Sequence, residues 1–410
     1  MPAPLTALVR RTASVARQIG TSATFALAER LTPARHDYWC FATWARHPHT
    51  LDNPRAVFEA VRDDPSITKI VLQKDLSEAP CPEGRNVVFV PAESLAGALY
   101  LARSGVILTG YAVGGMTSYS RLLRKGRHAI VQLWHGIPLK RIGHLFPGED
   151  FWDRETPLYS ATVCSSGRDR EVMASAFAPL PRERVWQTGL PRNDLILGDE
   201  ASLPADYRDH LGQVDRTLAG RRMVLYAPTW REDADSLYTF SEEEERRLGE
   251  VLERHGAVLA IRGHPNVRSH ASYSRDRPSG SILSVNDYPD PNLLLRRTDV
   301  LVTDYSSIYI DFLLLDRPVI HFAYDLEAYL EERGFLYDVD EAFAGPCART
   351  FGELLDHLDG ALERGPEHSR RQRERATRLF HDHGEGAAAE VCDRIRALID
   401  SRPQRRSDQR

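Results

Sequence analysis

The apolar positions along this chain fall into two successive runs of one rhythm. Short apolar stretches at 67–73, 87–90, 106–109, 129–134, 161–165 and 185–188 predict strands, with helical spacing at 93–103 and 168–177 between some of them. Strands alternating with helices are the mark of a parallel, doubly wound sheet. A polar stretch at 198–220 reads as poor in helix. The rhythm then resumes with strands at 223–227, 258–261, 282–285, 300–303 and 319–322 and helices at 242–255 and 307–315. The expected fold class is therefore α/β, with two Rossmann-like lobes and a cleft between them. Ligands of such sheets sit beyond the carboxyl ends of the strands.

This pattern divides the chain into five parts. Residues 1–35 form a basic amphipathic N-terminal segment, 36–197 an N-terminal lobe and 221–375 a C-terminal lobe. Residues 376–400 form a C-terminal helix, and 401–410 a disordered Arg/Gln/Ser tail. In the first segment Arg10, Arg11, Arg17, Arg30 and Arg35 face one acid, Glu29, while Leu5, Leu8, Val9, Ala16 and Ile19 recur at helical spacing. Such a helix lies on an anionic membrane surface or packs on its own domain, and the pattern fits both.

Composition narrows the classes. With 42% apolar and 27% charged residues in 410, the chain is an ordinary globular protein. Its 53 basic and 58 acidic residues give a net charge of −5, without the basic surplus that general nucleic-acid binding needs. The five cysteines are scattered and never spaced C-x-x-C, which argues against a disulfide framework or zinc site and fits a reducing cytosol. No apolar run reaches the roughly 18–20 residues of a membrane span, so the expected location is cytoplasmic, with peripheral attachment to the membrane an added reading.

Candidate chemistry gathers at strand ends. In Gln132-Leu133-Trp134-His135-Gly136-Ile137-Pro138-Leu139-Lys140 an apolar strand ends in a histidine, followed by residues that force a turn. His135 thus reaches the cleft with an ordinary pKa that suits a general base. Tyr226-Ala227-Pro228-Thr229-Trp230-Arg231 delivers Arg231, whose planar fork suits phosphate oxygens. Ile261-Arg262-Gly263-His264-Pro265 holds His264 extended at a strand tip, a donor to a phosphoryl oxygen. Thr303-Asp304-Tyr305-Ser306-Ser307 leads into a helical run, so Ser306 or Ser307 is a natural cap and the helix start a phosphate site. The chain has no G-x-x-x-x-G-K-[ST] loop and no H-E-x-x-H, which disfavours a P-loop NTPase and a zincin.

Together these motifs resemble the CDP-glycerol glycerophosphotransferases, which build teichoic acids and related glycerol- or ribitol-phosphate polymers. The matching residues also include Thr188-Gly189-Leu190-Pro191-Arg192-Asn193-Asp194, Arg317-Pro318-Val319-Ile320, Asp325-Leu326, Asn53-Pro54-Arg55-Ala56 and the closing helix at 384–394. The likeness spans about residues 39–395. It implies a GT-B fold with the CDP-alditol donor held mainly by the C-terminal lobe. By resemblance, His135 is the acceptor-activating base and His264 and Arg231 stabilise the donor phosphates. Thr303, Ser306 and Ser307 bind the donor's phosphate region with Asp304 and Asp311 in support, and Gly136, Pro138, Lys140, Arg192 and Asn193 serve the acceptor side or support the site.

The implied reaction transfers an alditol phosphate, with glycerol phosphate first in expectation, to the hydroxyl of a lipid-linked or polymer acceptor in teichoic acid-like or capsular polymer synthesis. CMP is released. No cofactor and no dedicated metal site are expected, with Mg2+ left open, and neither is a nucleic-acid partner. The inner face of the membrane is the expected partner of the N-terminal segment. Ile137 stands where the family often has threonine. Two other readings stay open: a GT-B sialyl- or polysialyltransferase using CMP-sialic acid, and a catalytically idle nucleotide- or membrane-binding partner.

Overall fold

The computed structural model describes residues 18–42, 52–74, 83–146, 148, 150–229, 238–263, 281–285, 288 and 290–401. The expectations for residues 1–17, Arg231, His264 and the tail at 402–410 therefore lie outside the described residues. The N-terminal sheet holds β1 (Arg35–Ala42), β2 (Thr68–Gln73), β3 (Val87–Pro91), β4 (Ser104–Thr109), β5 (Ala129–Gln132), β6 (Ala161–Cys164) and β7 (Val185–Gln187), in spatial order 3-2-1-4-5-6-7. The second sheet holds β8 (Arg222–Tyr226), β9 (Ala257–Ile261), β10 (Ile282–Ser284), β11 (Thr298–Thr303), β12 (Val319–Phe322) and β13 (Cys347–Ala348), in order 10-9-8-11-12-13. Neighbouring strands pair in parallel in both sheets, for instance Phe41 with Val71 and Leu108, and Leu225 with Ala260 and Leu301. Helices cover both faces, which is why the strands read as continuous apolar runs. In each sheet the chain order reverses beside the first strand, so the crevice opens at the carboxyl ends of β1/β4 and β8/β11. This is the two-lobed GT-B arrangement.

Three sequence expectations need correction. The central strand of the first sheet, β1, was absent from the expected set because its first half, Arg35-His36-Asp37-Tyr38, is polar and only Trp39–Ala42 is fully buried. The stretch at 198–220 is not poor in helix: Ala205–Leu218 is helical and buries Tyr207, Leu211, Val214 and Leu218. Those four recur at the i, i+4, i+7, i+11 spacing of an apolar stripe, and the charged residues between them hid it. The C-terminal part is not one helix from 376 but two, Arg370–Phe380 and Ala387–Asp400, parted by a turn in which Gly386 takes φ +92°.

The last helix belongs to the first lobe in space. Val391, Ile395 and Leu398 share one apolar core with Val57, Phe58 and Val61 of the Asn53–Val61 helix. The Asp194 carboxylate accepts the N–H groups of Gly386 (2.8 Å), Ala387 (3.1 Å) and Ala388 (2.8 Å), satisfying the helix start from outside. His381 ties the same crossover to both lobes. Its Nε2–H donates to the Ile310 carbonyl (2.7 Å), and its Nδ1 accepts from Ser165 Oγ (3.0 Å).

At the amino end, the helix at 18–31 buries Phe25, Ala28 and Glu29 on the lobe. Glu29, the lone acid of the basic segment, pairs there with Arg127 and with His128 Nε2 at 2.9 Å.

Another buried histidine, His321, sits beneath the carboxyl ends of the second sheet. His321 Nδ1–H donates to the Asp304 carbonyl (3.1 Å), Nε2 accepts the Ala344 N–H (3.1 Å), and the ring lies flat on Phe343 at 3.9 Å. Burial pushes its pKa down from 6.5 to about 4. The unfolded chain therefore takes the proton first, so this ring's stabilisation is complete above pH 6.5 and is lost as pH falls toward 4. The unfolding free-energy advantage of wild type over His321→Gln, measured by urea denaturation, should shrink by about 2 kcal/mol between pH 7 and pH 5. Comparing variants cancels groups of opposite sign such as Asp169, which burial raises to about 7. A constant difference across that interval would contradict the assignment.

Candidate active site between the lobes

The site begins with a backbone problem. β5 ends at Gln132, two residues earlier than its apolar run suggests, because Trp134 takes φ +51°. That conformation is costly for a bulky residue. Asn53 holds it: its Nδ2 donates to the carbonyls of Leu133 and Trp134, both at 3.0 Å. Gly110 supplies the space, since a Cβ there would stand 3.0 Å from the Trp134 carbonyl oxygen. The turn swings His135 out at the carboxyl end of the sheet.

His135 is clamped between rings, 4.7 Å from Tyr111 and 4.3 Å from Trp134. Its Nδ1–H donates to the Gly110 carbonyl at 2.9 Å, so Nε2 carries the lone pair. Burial lowers the pKa below 6.5, against the Gly110 carbonyl and Asp52, which raise it. The ring is thus neutral at physiological pH and able to accept a proton.

Behind His135 lies Arg192. Its backbone N–H donates to Asn53 Oδ1 (2.9 Å), Nη1 donates to Asp52 Oδ1 (2.9 Å) and to the His135 carbonyl (3.0 Å), and Nη2 donates to Asp311 of the other lobe. Burial works against the charge, but Asp311 and Asp52 hold the guanidinium protonated. Gly136, at φ +141°, makes this approach possible. A Cβ there would stand 3.0 Å from Arg192 Nη2 and 3.2 Å from Ser307 Oγ.

The lobes enclose a cavity of about 380 Å³ lined by residues 134–142 and Phe146 from one side. Pro228, Thr229, Tyr305, Ser306, Ser307, Tyr329 and Arg333 line it from the other. His135, Gly136, Pro138, Lys140, Ser306 and Ser307 are therefore brought together as expected. Thr303, Asp304 and Asp311 are not: all three are buried and face protein. Thr303 Oγ1 donates to the Ala227 carbonyl (2.7 Å), and Asp304 Oδ1 accepts the N–H groups of Thr229 (2.8 Å) and Tyr305 (2.6 Å). They lock the strand ends that present Thr229 and the serines, while Asp311 pairs with Arg192. Arg192 and Asn193 are also buried and act as supports.

The helix after the serines also differs from expectation. Its α-helical part is five residues, Ile308–Phe312, continued by a 3-10 turn at Leu313–Leu315. Ser307 sits at its start without a side-chain cap, and the Ile308 N–H reaches Ser306 Oγ only at 3.5 Å. A helix this short brings little dipole, so the serine hydroxyls themselves are the groups offered to the cavity.

Sequence reasoning missed Asp52, Tyr111, Arg141, Tyr329 and Arg333, and it recognised Asn53 and Tyr305 only within motifs. The Asn53-Pro54 helix start and the Lys140-Arg141 pair were the available signals. Among the described residues no group of three or more His, Cys, Asp or Glu is placed to hold a metal ion. Asp311→Asn leaves a buried arginine half-compensated, and it should cost about 3 kcal/mol of stability, read as a lower urea midpoint. An unchanged midpoint would mean the bridge contributes nothing.

The chain is similar to several known proteins. A 240-residue segment is 31% identical to the teichoic acid ribitol-phosphate polymerase TarK of Staphylococcus aureus, covering 56% of this chain and 45% of that protein. The chain thus spans under half the length of that relative. Against the teichoic acid ribitol-phosphate primase of Bacillus spizizenii, identity is 25% over 395 residues, covering 92% of this chain and 95% of the primase. The structure of the wall teichoic acid polymerase TagF superposes with a TM-score of 0.75 at 21% identity, covering 96% of this chain and 98% of that one, which supports the fold. Residues 25–397 match the model of one family of enzymes, and the chain belongs to it: the CDP-glycerol:poly(glycerophosphate) glycerophosphotransferases.

Proposed function

We propose that this enzyme transfers an alditol phosphate, glycerol phosphate first among the candidates, from a CDP-alditol to an acceptor hydroxyl with release of CMP. The products are teichoic acid-like or capsular polymers. The observation that carries this reading is the neutral, Nε2-basic His135 of one lobe facing the Ser306–Ser307 pair of the other across one cavity. His135 Nε2 takes the acceptor proton as the hydroxyl oxygen forms a bond to the donor's β-phosphorus. The bond from that phosphorus to the bridging oxygen breaks, CMP carries the electron pair away, and the imidazolium returns its proton to water. Positioning and charge neutralisation dominate such chemistry. Ser306 and Ser307 donate to the donor's phosphate oxygens, and Arg231 and His264 keep their proposed place as stabilisers of the same group. The family relationship favours this reading over a sialyltransferase, and an intact base disfavours an idle partner.

With CDP-glycerol and a glycerol-phosphate acceptor, His135→Ala should release CMP at least about a hundredfold more slowly. Wild-type kcat/KM should fall as pH drops through a value below 6.5, in line with burial of the ring. Wild-type-like turnover by the variant would remove His135 as base. Running CDP-ribitol in parallel identifies the alditol.

We also propose that the protein works on the cytoplasmic face of the membrane, docked through its amino-terminal helix. Ile19, Leu27 and Leu31 of that helix are exposed while its other face is packed on the lobe, which suits interfacial binding. No helix among the described residues is long and apolar enough to cross a membrane. Leu27→Gln/Leu31→Gln should reduce co-flotation with anionic vesicles several-fold; equal flotation would refute this docking.

A further inference from the structure

The turn that presents His135 does not rest on its own lobe alone. Past Gly136 the chain reaches Lys140, which forms an antiparallel bridge to Phe335 of the opposite lobe. Beside that bridge the Leu336 N–H donates to the Leu139 carbonyl at 3.0 Å. A few residues after the proposed base, the backbone is therefore hydrogen-bonded to the lobe that carries the serines. Ile137 and Leu139 are buried, so water competes little for this bond.

Gly334 allows the approach. It follows the Leu326–Arg333 helix at φ +64° and ψ 150°, a region open in practice to glycine alone. A Cβ there would also stand 3.0 Å from Arg141 Nε and 3.2 Å from its Cζ. Any larger residue meets both backbone strain and the side chain that follows Lys140.

Phe335 anchors the same segment to the serine loop. Its ring lies edge-on to Tyr305 at 5.9 Å and to Tyr329 at 6.3 Å. Tyr305 directly precedes Ser306, stacks on Tyr329 at 4.1 Å, and donates its hydroxyl to Asp325 Oδ1 at 2.8 Å. Lys140 Nζ lies 5.2 Å from the centroid of the Tyr329 ring. Aromatic pairs of this kind have preferred geometries, so the cluster fixes orientation as well as distance. One group of rings thus holds both the serine loop and the segment paired with the base loop.

We propose that Gly334, Phe335 and Leu336 are positioning residues for the transfer, through which the serine-bearing lobe aims the His135 turn at its own bound donor. This rests on the reading above, in which His135 is the base, and adds the part of the opposite lobe that directs it. Arg192 restrains the turn at the His135 carbonyl, and the 334–336 segment restrains it at Leu139 and Lys140. In-line displacement at phosphorus depends on such placement, and a small misplacement of the base is felt in the rate.

Gly334→Ala and Phe335→Leu test the proposal, the second keeping it open to refutation should the first not fold. Each should lower kcat about tenfold or more, while the dissociation constant for CDP-glycerol, read by calorimetry, shifts less than about twofold. The acid limb of kcat/KM should also move up toward pH 6.5, because a loosened ring regains water and loses the burial that lowers its pKa. A kcat loss without that shift marks a structural role only and overturns the proposal. An unchanged kcat, or a donor affinity that falls in step with kcat, overturns it too. Hydrogen exchange gives a readout that needs no turnover: peptides spanning 135–142 should exchange several-fold faster in either variant. If wild type releases no CMP with either CDP-alditol, the functional reading fails by itself. Exchange then decides whether the opposite lobe holds the turn, and equal rates in variant and wild type overturn it.

Discussion

A buried guanidinium sets the geometry of this molecule. Arg192 reaches Asp52 and the His135 carbonyl in its own lobe and Asp311 in the other. Withdrawing a charge from water is costly, and here two carboxylates and a carbonyl offset that cost at Nη1 and Nη2, while Nε has no hydrogen bond among the described residues. The relative position of the lobes is therefore tied to the position of the histidine turn. Little freedom is left between the proposed base and the serines it faces, and Gly136 keeps the contact close.

A second layer of polar groups maintains what the first requires. Asn53 stabilises the unfavourable backbone of Trp134. Thr303 and Asp304 fasten the ends of β8 and β11 to each other. His321 supports the Asp304 carbonyl from below. None of these side chains lines the cavity. They convert a crevice that any doubly wound fold would have into one with fixed donors and one basic nitrogen.

Much of the fold was legible in the sequence because parallel strands buried on both faces announce themselves as apolar runs. The exceptions have physical causes. β1 is a central strand but opens with the polar run Arg35–Tyr38, and Ala205–Leu218 carries its apolar stripe among charges. The residues that line the cavity on the His135 and serine loops were legible too, since turn-forming glycine and proline or paired serines mark them. What could not be read was direction. Asp304, Thr303 and Asp311 lie in the motif-bearing segments, yet each points into protein, because a strand end must be tied down before it can present a neighbour. Arg141 was unreadable for another reason: its guanidinium packs against Gly334 of the opposite lobe, and spacing along one chain does not record such a contact.

The capping of the Ala387–Asp400 helix by Asp194 has a consequence for biosynthesis. The first lobe buries its Asn53–Val61 helix against side chains that are translated only after the whole second sheet. While the ribosome is still adding the second sheet, that apolar flank stays open and Asp194 lacks its amide partners. The lobe matures only when the Ala387–Asp400 helix returns to it, so a product stopped short of this helix forfeits part of the amino-terminal lobe's core as well as the helix itself.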